Sequence, residues 1–169
     1  MKFPWFIFIL FSIFSYPIQY GCGQVTYYPV GKYAVISQPF GYKKHVGVDF
    51  NVPSGTSVRA AMDGLVTFAM DDSVVYGGSI MVLHNDGYAS LYGHLSKLFV
   101  KKGEEVYAGQ VIGLSGGIPG TSGAGQSSGA HLHFEIRIPG HLDNNLYNID
   151  PIEYLDGYVA QMGSDRCPK

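Results

Sequence analysis

Asn85-Asp86-Gly87, set between the runs Ser79 to His84 and Tyr88 to His94, restricts the fold of this chain more than any other feature. An Asp-Gly step supplies the positive φ of a tight turn, and alternating residues on both sides complete a hairpin signal. The same punctuation recurs along the chain. Ser57 to Met70 reads as a hairpin turning at Asp63-Gly64, and Val106 with Gln110 to Leu114 reads as a short pair around Gly109. Ser115 to Gly129 is rich in Gly and Ser without apolar periodicity, the pattern of a flexible loop, and a loop that long is usually functional or disordered. Asp150-Pro151 is a helix start, with Asp150 as cap and Pro151 in the first position of a short closing helix. With 23 glycines and no long helical periodicity, the expected fold is mainly β: one compact antiparallel sheet domain with hairpins and a short C-terminal helix. A length of 169 residues leaves room for one such domain and a targeting segment.

The formal charge of -2 and a charged fraction of 14% speak against a nucleic-acid footprint or a polybasic membrane surface. Phe3 to Gly31 carries no charge, and the apolar stretch Trp5 to Phe14 follows Lys2. This is the length of a signal-peptide core, shorter than the ~20 residues that span a bilayer. The expected division is 1–23 as signal peptide or anchor, 24–35 as linker, 36–158 as the functional domain and 159–169 as a tail. Export to the cell envelope or medium follows. Cleavage after Gly23 ranks first, lipidation of Cys22 second and a Cys22–Cys167 disulfide third. Contact with a membrane would then run only through an uncleaved N-terminal segment or a lipidated Cys22.

Three histidine-bearing segments carry the chemistry. The run His131-Leu132-His133-Phe134-Glu135-Ile136-Arg137-Ile138 alternates as a half-buried strand does, so the two imidazoles share a face. His45-Val46-Gly47-Val48-Asp49 places an imidazole and a carboxylate an even number apart, and on an extended segment these share a face as well. The third histidine is His94, in Tyr92-Gly93-His94-Leu95. Imidazole nitrogen and carboxylate oxygen suit zinc, which in catalytic sites keeps about three protein ligands and one open position. More histidines are present than one metal needs, which leaves some for proton transfer. From the residues alone, either His131 or His133 could be the ligand.

Taken in order, Ser37-Gln38-Pro39-Phe40-Gly41, His45 to Asp49, Gly55 to Ala60, Asp63-Gly64, Tyr92 to Ser96, Val100 to Gly103, Gly109 to Gly113 and Ser128 to Glu135 resemble the lysostaphin-type zinc endopeptidases. That family includes glycyl-glycine endopeptidases and LytM-like peptidoglycan hydrolases, and the resemblance runs from about Ile36 to Leu155. It implies a groove-type site with one zinc per chain held by His45, Asp49 and His133, with His94 and His131 as the two active-site histidines that do not bind the metal. It also implies peptidoglycan peptides, in stems or cross-bridges, as substrates; a monomer is the expected state.

Two departures stand out against the family pattern. The stretch between Phe40 and His45 is short, and the Gly/Ser loop before His131 is long, with Ala130 where proline is common. Tyr42 is placed to offer a hydroxyl to an oxyanion, although such a tyrosine more often packs at the mouth. His84 and His141 read as solvated residues whose replacement costs little. Two other classes compete: a non-catalytic envelope module that binds wall or activates another hydrolase, and a lipoyl- or biotinyl-carrier-like domain, suggested by Val100 to Val106 and Gly109 to Gly113. The first predicts lost site residues and the second an exposed modified lysine, and neither is seen in the sequence.

Overall fold

Alternating apolar residues build one antiparallel sheet of ten strands, in a computed structural model that describes residues 26–143 and 147–161. The strands are β1 (Val35–Gln38), β2 (Val48–Asn51), β3 (Ser57–Arg59), β4 (Gly64–Ser73), β5 (Gly77–His84), β6 (Ala89–Leu98), β7 (Glu105–Val106), β8 (Val111–Ser115), β9 (Leu132–Arg137) and β10 (Asn148–Ile149). Their order is β1-β2-β9-β6-β5-β4-β7, with β8 joining β3 and β6, and β10 joining β9. The expected class, mainly β with a single antiparallel sheet and one short helix, is the class observed. One face of the central strands carries the core: Val48, Phe50, Val82, Tyr92, Leu132, Phe134 and Ile136 are all almost fully buried.

The Asn85-Asp86-Gly87 turn joins β5 to β6 as its residues dictate. The helix α1 (Pro151–Gln161) also begins as expected, with the Ile152 N–H donating to Asp150 Oδ1 at 2.8 Å. It docks through the buried Leu155 and through Tyr154, whose hydroxyl donates to Asp86 at the hairpin turn.

The other two hairpins are corrected. β3 pairs with β8, whereas β4 pairs with β5 and β7. The reason is Ala60-Ala61-Met62, wholly buried, which carries the chain through the interior where a tight turn would face water. Its backbone groups are claimed from elsewhere: Gly109 N–H donates to the Ala60 carbonyl, and Ala60 N–H to the Gln110 carbonyl. The Gly109 turn exists, with φ 81°, but its flanking strands β7 and β8 leave for different partners.

His84 is the second correction. It is 3% exposed, not solvated. Its Nδ1 donates to the Asp63 carbonyl at 2.9 Å, and its Nε2 lies 2.9 Å from Ser90 Oγ, which is 2.9 Å from the Tyr92 hydroxyl. Burial pushes the imidazole pKa below its usual value and raises that of Tyr92 to about 12. His84→Ala strips partners from this buried chain and opens a cavity, at a cost of roughly 2–4 kcal/mol. The melting temperature should fall by roughly 10 °C; an unchanged melting curve by circular dichroism would contradict this account.

The N-terminal signal or anchor, Cys22, Cys167 and most of the C-terminal tail lie outside the described residues. Among those described, no helix is long and apolar enough to cross a membrane.

Candidate metal centre

Strand register builds the first half of the site. Asp49 of β2 stands directly opposite His133 of β9, and a cross-strand pair shares one face at close range. Asp49 Oδ1 and His133 Nδ1 are 2.8 Å apart. His45 reaches the same point by a different route from the extended one expected. On a continuous strand, residues four apart lie about 13 Å from each other, too far to meet at one ion. Instead β2 begins only at Val48, and His45 follows a 3-10 turn at Tyr42–Lys44. The chain bends back there, so that His45 Nε2 lies 3.2 Å from Asp49 Oδ1 and 3.1 Å from His133 Nδ1. The bend requires Gly47: a Cβ there would come within 2.9 Å of the His133 ring and collide with the Phe134 carbonyl.

The donor set can be tested against zinc on its hydrogen bonds. His45 Nδ1 faces the Pro39 carbonyl at 3.3 Å, and His133 Nε2 faces Glu135 Oε1 at 3.0 Å. When each ring gives its N–H to these acceptors, the other nitrogen of each is left with a lone pair. Those two lone pairs and the Asp49 oxygen converge on one point, an arrangement a cation satisfies. Four-coordinate zinc with bonds of about 2.0–2.1 Å sets neighbouring donors ~3.3 Å apart, close to the observed spacings. The residues fit the ion. Without it, the opposed groups need a proton: burial disfavours charge on His133, but hydrogen bonds from its ring to the Asp49 and Glu135 carboxylates outweigh this and lift its pKa to about 9. Burial likewise opposes the Asp49 carboxylate, and its bonds to His133 and His45 overcome that, holding its pKa well below the usual carboxylate range.

His94 and His131 border this cluster. Alternation would put His94 on the core face with Tyr92, but φ of 59° at His94 turns it over. The residue sits where β6 changes partner: Ala89–Gly93 pairs with β9, and Leu95–Leu98 pairs with β8. Its amide donates to the Tyr76 carbonyl at 2.7 Å. The two rings lie edge to face with centroids 4.6 Å apart, and His131 Nε2 is 3.6 Å from Asp49 Oδ1.

Both side chains are oriented by the Gly/Ser segment. The Ala124 carbonyl is 2.8 Å from His94 Nδ1, and the Gly129 carbonyl is 2.8 Å from His131 Nδ1, with Ser127 Oγ at 3.1 Å. The segment is tied down at several points: the Gly123 carbonyl accepts the Gly78 amide of β5, the Gln126 amide donates to the Val75 carbonyl, and Gly116 bridges His131. Burial, and then the charges His131 and His133 can carry, push the His94 pKa down to about 4.

All five predicted residues therefore meet in one cluster. Tyr42 is 53% exposed and lies against Lys43, and its carbonyl accepts the His45 amide at 2.9 Å. His141 is exposed as expected and stacks on Tyr147. Sequence reasoning missed Glu135, Tyr76, Arg137 and Asn148. Glu135 is fully buried and accepts from His133 Nε2, from the Tyr76 hydroxyl at 2.6 Å, from Arg137 Nε at 2.8 Å and from Asn148 Nδ2 at 2.9 Å. The available signal was parity: Glu135 and Arg137 share the face of His131 and His133, so charged residues there had to be either solvated or paired.

Residues 43–150 match Peptidase family M23. The chain is 40% identical over 117 residues to the DD-carboxypeptidase/endopeptidase Mpg of Neisseria meningitidis, covering 64% of this chain and 25% of that protein. It is 41% identical over 112 residues to the glycyl-glycine endopeptidase ALE-1 of Staphylococcus capitis, covering 66% and 29%. To the murein hydrolase activator NlpD of Salmonella dublin it is 35% identical over 109 residues, covering 64% and 26%. It thus spans about a quarter of the length of these relatives. Among solved structures, the antimicrobial peptidase lysostaphin from Staphylococcus simulans superposes with a TM-score of 0.61 at 31% identity, covering 86% of this chain and 55% of that one. On this match, which takes in every residue of the cluster, the chain belongs to peptidase family M23.

Proposed function

We propose that this chain is a zinc-dependent endopeptidase that hydrolyses peptide bonds in the stem peptides or cross-bridges of peptidoglycan. In this reading His45, Asp49 and His133 hold one zinc, and His94 and His131 move protons. The observation that carries it is the pairing of a three-donor cluster with two further imidazoles beside it whose Nδ1 atoms are tied to backbone carbonyls. When bound, zinc lowers the pKa of a coordinated water toward ~7 and polarises a scissile carbonyl. Burial and its neighbours favour the neutral His94 ring; of His94 and His131, one takes the proton as general base and the other serves the oxyanion or the leaving amine. The Gly129 carbonyl and Ser127 Oγ both face His131 Nδ1 and fix the orientation of its ring.

The domain would run from about residue 36 to 158, act as a monomer, and reach the envelope or medium through export directed by residues 1–23. The choice between bonds stays open because the relatives differ, Mpg being named a DD-carboxypeptidase/endopeptidase and ALE-1 a glycyl-glycine endopeptidase. An activator role is the alternative, because NlpD is among the relatives. The filled set of five side chains favours catalysis.

Digestion of purified peptidoglycan by the zinc-loaded protein, followed by mass spectrometry of the fragments, tests the proposal. New amine termini at a defined bond are expected. Fragments released only after a second hydrolase is added would establish the activator role instead.

A further inference from the structure

We propose that Tyr76 and Glu135 are positioning residues that set the two halves of the centre together: Glu135 fixes the tautomer and tilt of His133, while Tyr76 holds Glu135 with its hydroxyl and the His94 backbone with its carbonyl. The inference rests on the reading of His45, Asp49 and His133 as a zinc site.

A buried carboxylate is costly unless its lone pairs are filled. Arg137 alone would balance the charge of Glu135, so the remaining donors call for another explanation. The Oε2 atom takes the structural partners, Arg137 Nε and Asn148 Nδ2. The Oε1 atom faces the site, accepting from His133 Nε2 at 3.0 Å and from Tyr76 at 2.6 Å. Giving the Nε2–H of His133 to a carboxylate leaves the Nδ1 lone pair aimed at Asp49 and His45. Partners behind a ligating histidine set its orientation and basicity in this way.

Tyr76 lies in the turn between β4 and β5, far in sequence from both histidines. Its ring stands 5.6 Å from the His133 ring and closes one side of it, against the bare Gly93. Its carbonyl accepts the amide of His94 at 2.7 Å, at the residue held in the left-handed region. Such a conformation is strained for a residue that carries a Cβ and persists only where neighbours enforce it. The turn is itself clamped, by Ser73 Oγ on the Tyr76 amide and by the Gln126 amide on the Val75 carbonyl. Displacement of this turn would therefore disturb both the metal-facing ring and the proton-transfer ring.

The test compares wild type, Tyr76→Phe and Glu135→Gln by zinc affinity under chelator competition and by the visible spectrum of the cobalt-substituted proteins. Circular dichroism of the metal-free forms controls for folding. Removing a partner behind a ligating histidine weakens metal binding by roughly 10- to 100-fold, so Glu135→Gln should lose that much and Tyr76→Phe about 10-fold, each with an altered cobalt spectrum. A purely structural role would shift the melting curves and leave affinity and spectrum unmoved. Wild-type affinity and spectrum in a folded Tyr76→Phe would overturn the proposal even if Glu135→Gln fails to fold. Failure of the wild-type protein to bind zinc would instead defeat the metal-site reading beneath it.

Discussion

His133→Ala is expected to lose stoichiometric zinc binding. Complete four-ligand zinc sites are worth about 10–16 kcal/mol, so one ligand accounts for about 3–4 kcal/mol, or a weakening of at least about 100-fold. The loss at this position goes beyond one donor atom. His133 also links Asp49 to Glu135, and its removal leaves the buried Glu135 carboxylate short of a partner. His45→Ala and Asp49→Ala should weaken binding in the same direction, since all three donor atoms lie within 4.8 Å of one another. Isothermal titration in competition with a chelator measures the effect. Wild-type stoichiometry and affinity in His133→Ala would show that the ligand set is wrong.

His94→Ala and His131→Ala should separate chemistry from metal binding. Each is expected to slow peptide-bond cleavage by roughly 100-fold or more, the scale of losing a positioned proton-transfer group, with zinc content still near one per chain. Neither ring belongs to the three-donor cluster, which is why the metal should stay. His141→Ala is the control, because that side chain is exposed and stacks on Tyr147, away from the cluster. His84 cannot serve as one, since its replacement acts through stability. Zinc content and fragment release are measured on the same samples, and near-wild-type cleavage by both variants would sink the mechanism and favour the activator reading.

The pH behaviour of His94 supplies an independent check. Its folded pKa lies below the ordinary histidine value, at about 4, so the folded form resists protonation that the unfolded chain accepts. The stability linked to this residue is fully present above about pH 6.5 and is lost as pH falls toward 4. A bound cation would strengthen the effect. In an NMR titration the His94 ring should remain neutral at pH 5.5.

Much of this protein was legible in its residues. The Asp-Gly turn fixed one hairpin, the Asp150-Pro151 pair fixed the start of α1, and parity placed His131 and His133 on one face, because these signals depend only on local φ preferences and a period of two. The five site residues were identified by family resemblance. Three matters needed tertiary structure. Which strands pair was undecidable from turns alone: the buried Ala60-Ala61-Met62 segment sends β3 and β4 to different partners, and burial depends on the whole sheet. The meeting of His45 with Asp49 required a bend that extended geometry forbids, made possible by Gly47 lying against His133. The third was the face of His94 and the tautomers of the histidines, which are set by carbonyls and carboxylates distant in sequence: Tyr76, Ala124, Gly129 and Glu135. Residue types announce which chemistry is available, but the direction of a lone pair depends on what the other ring nitrogen touches, and only the packed fold supplies that partner.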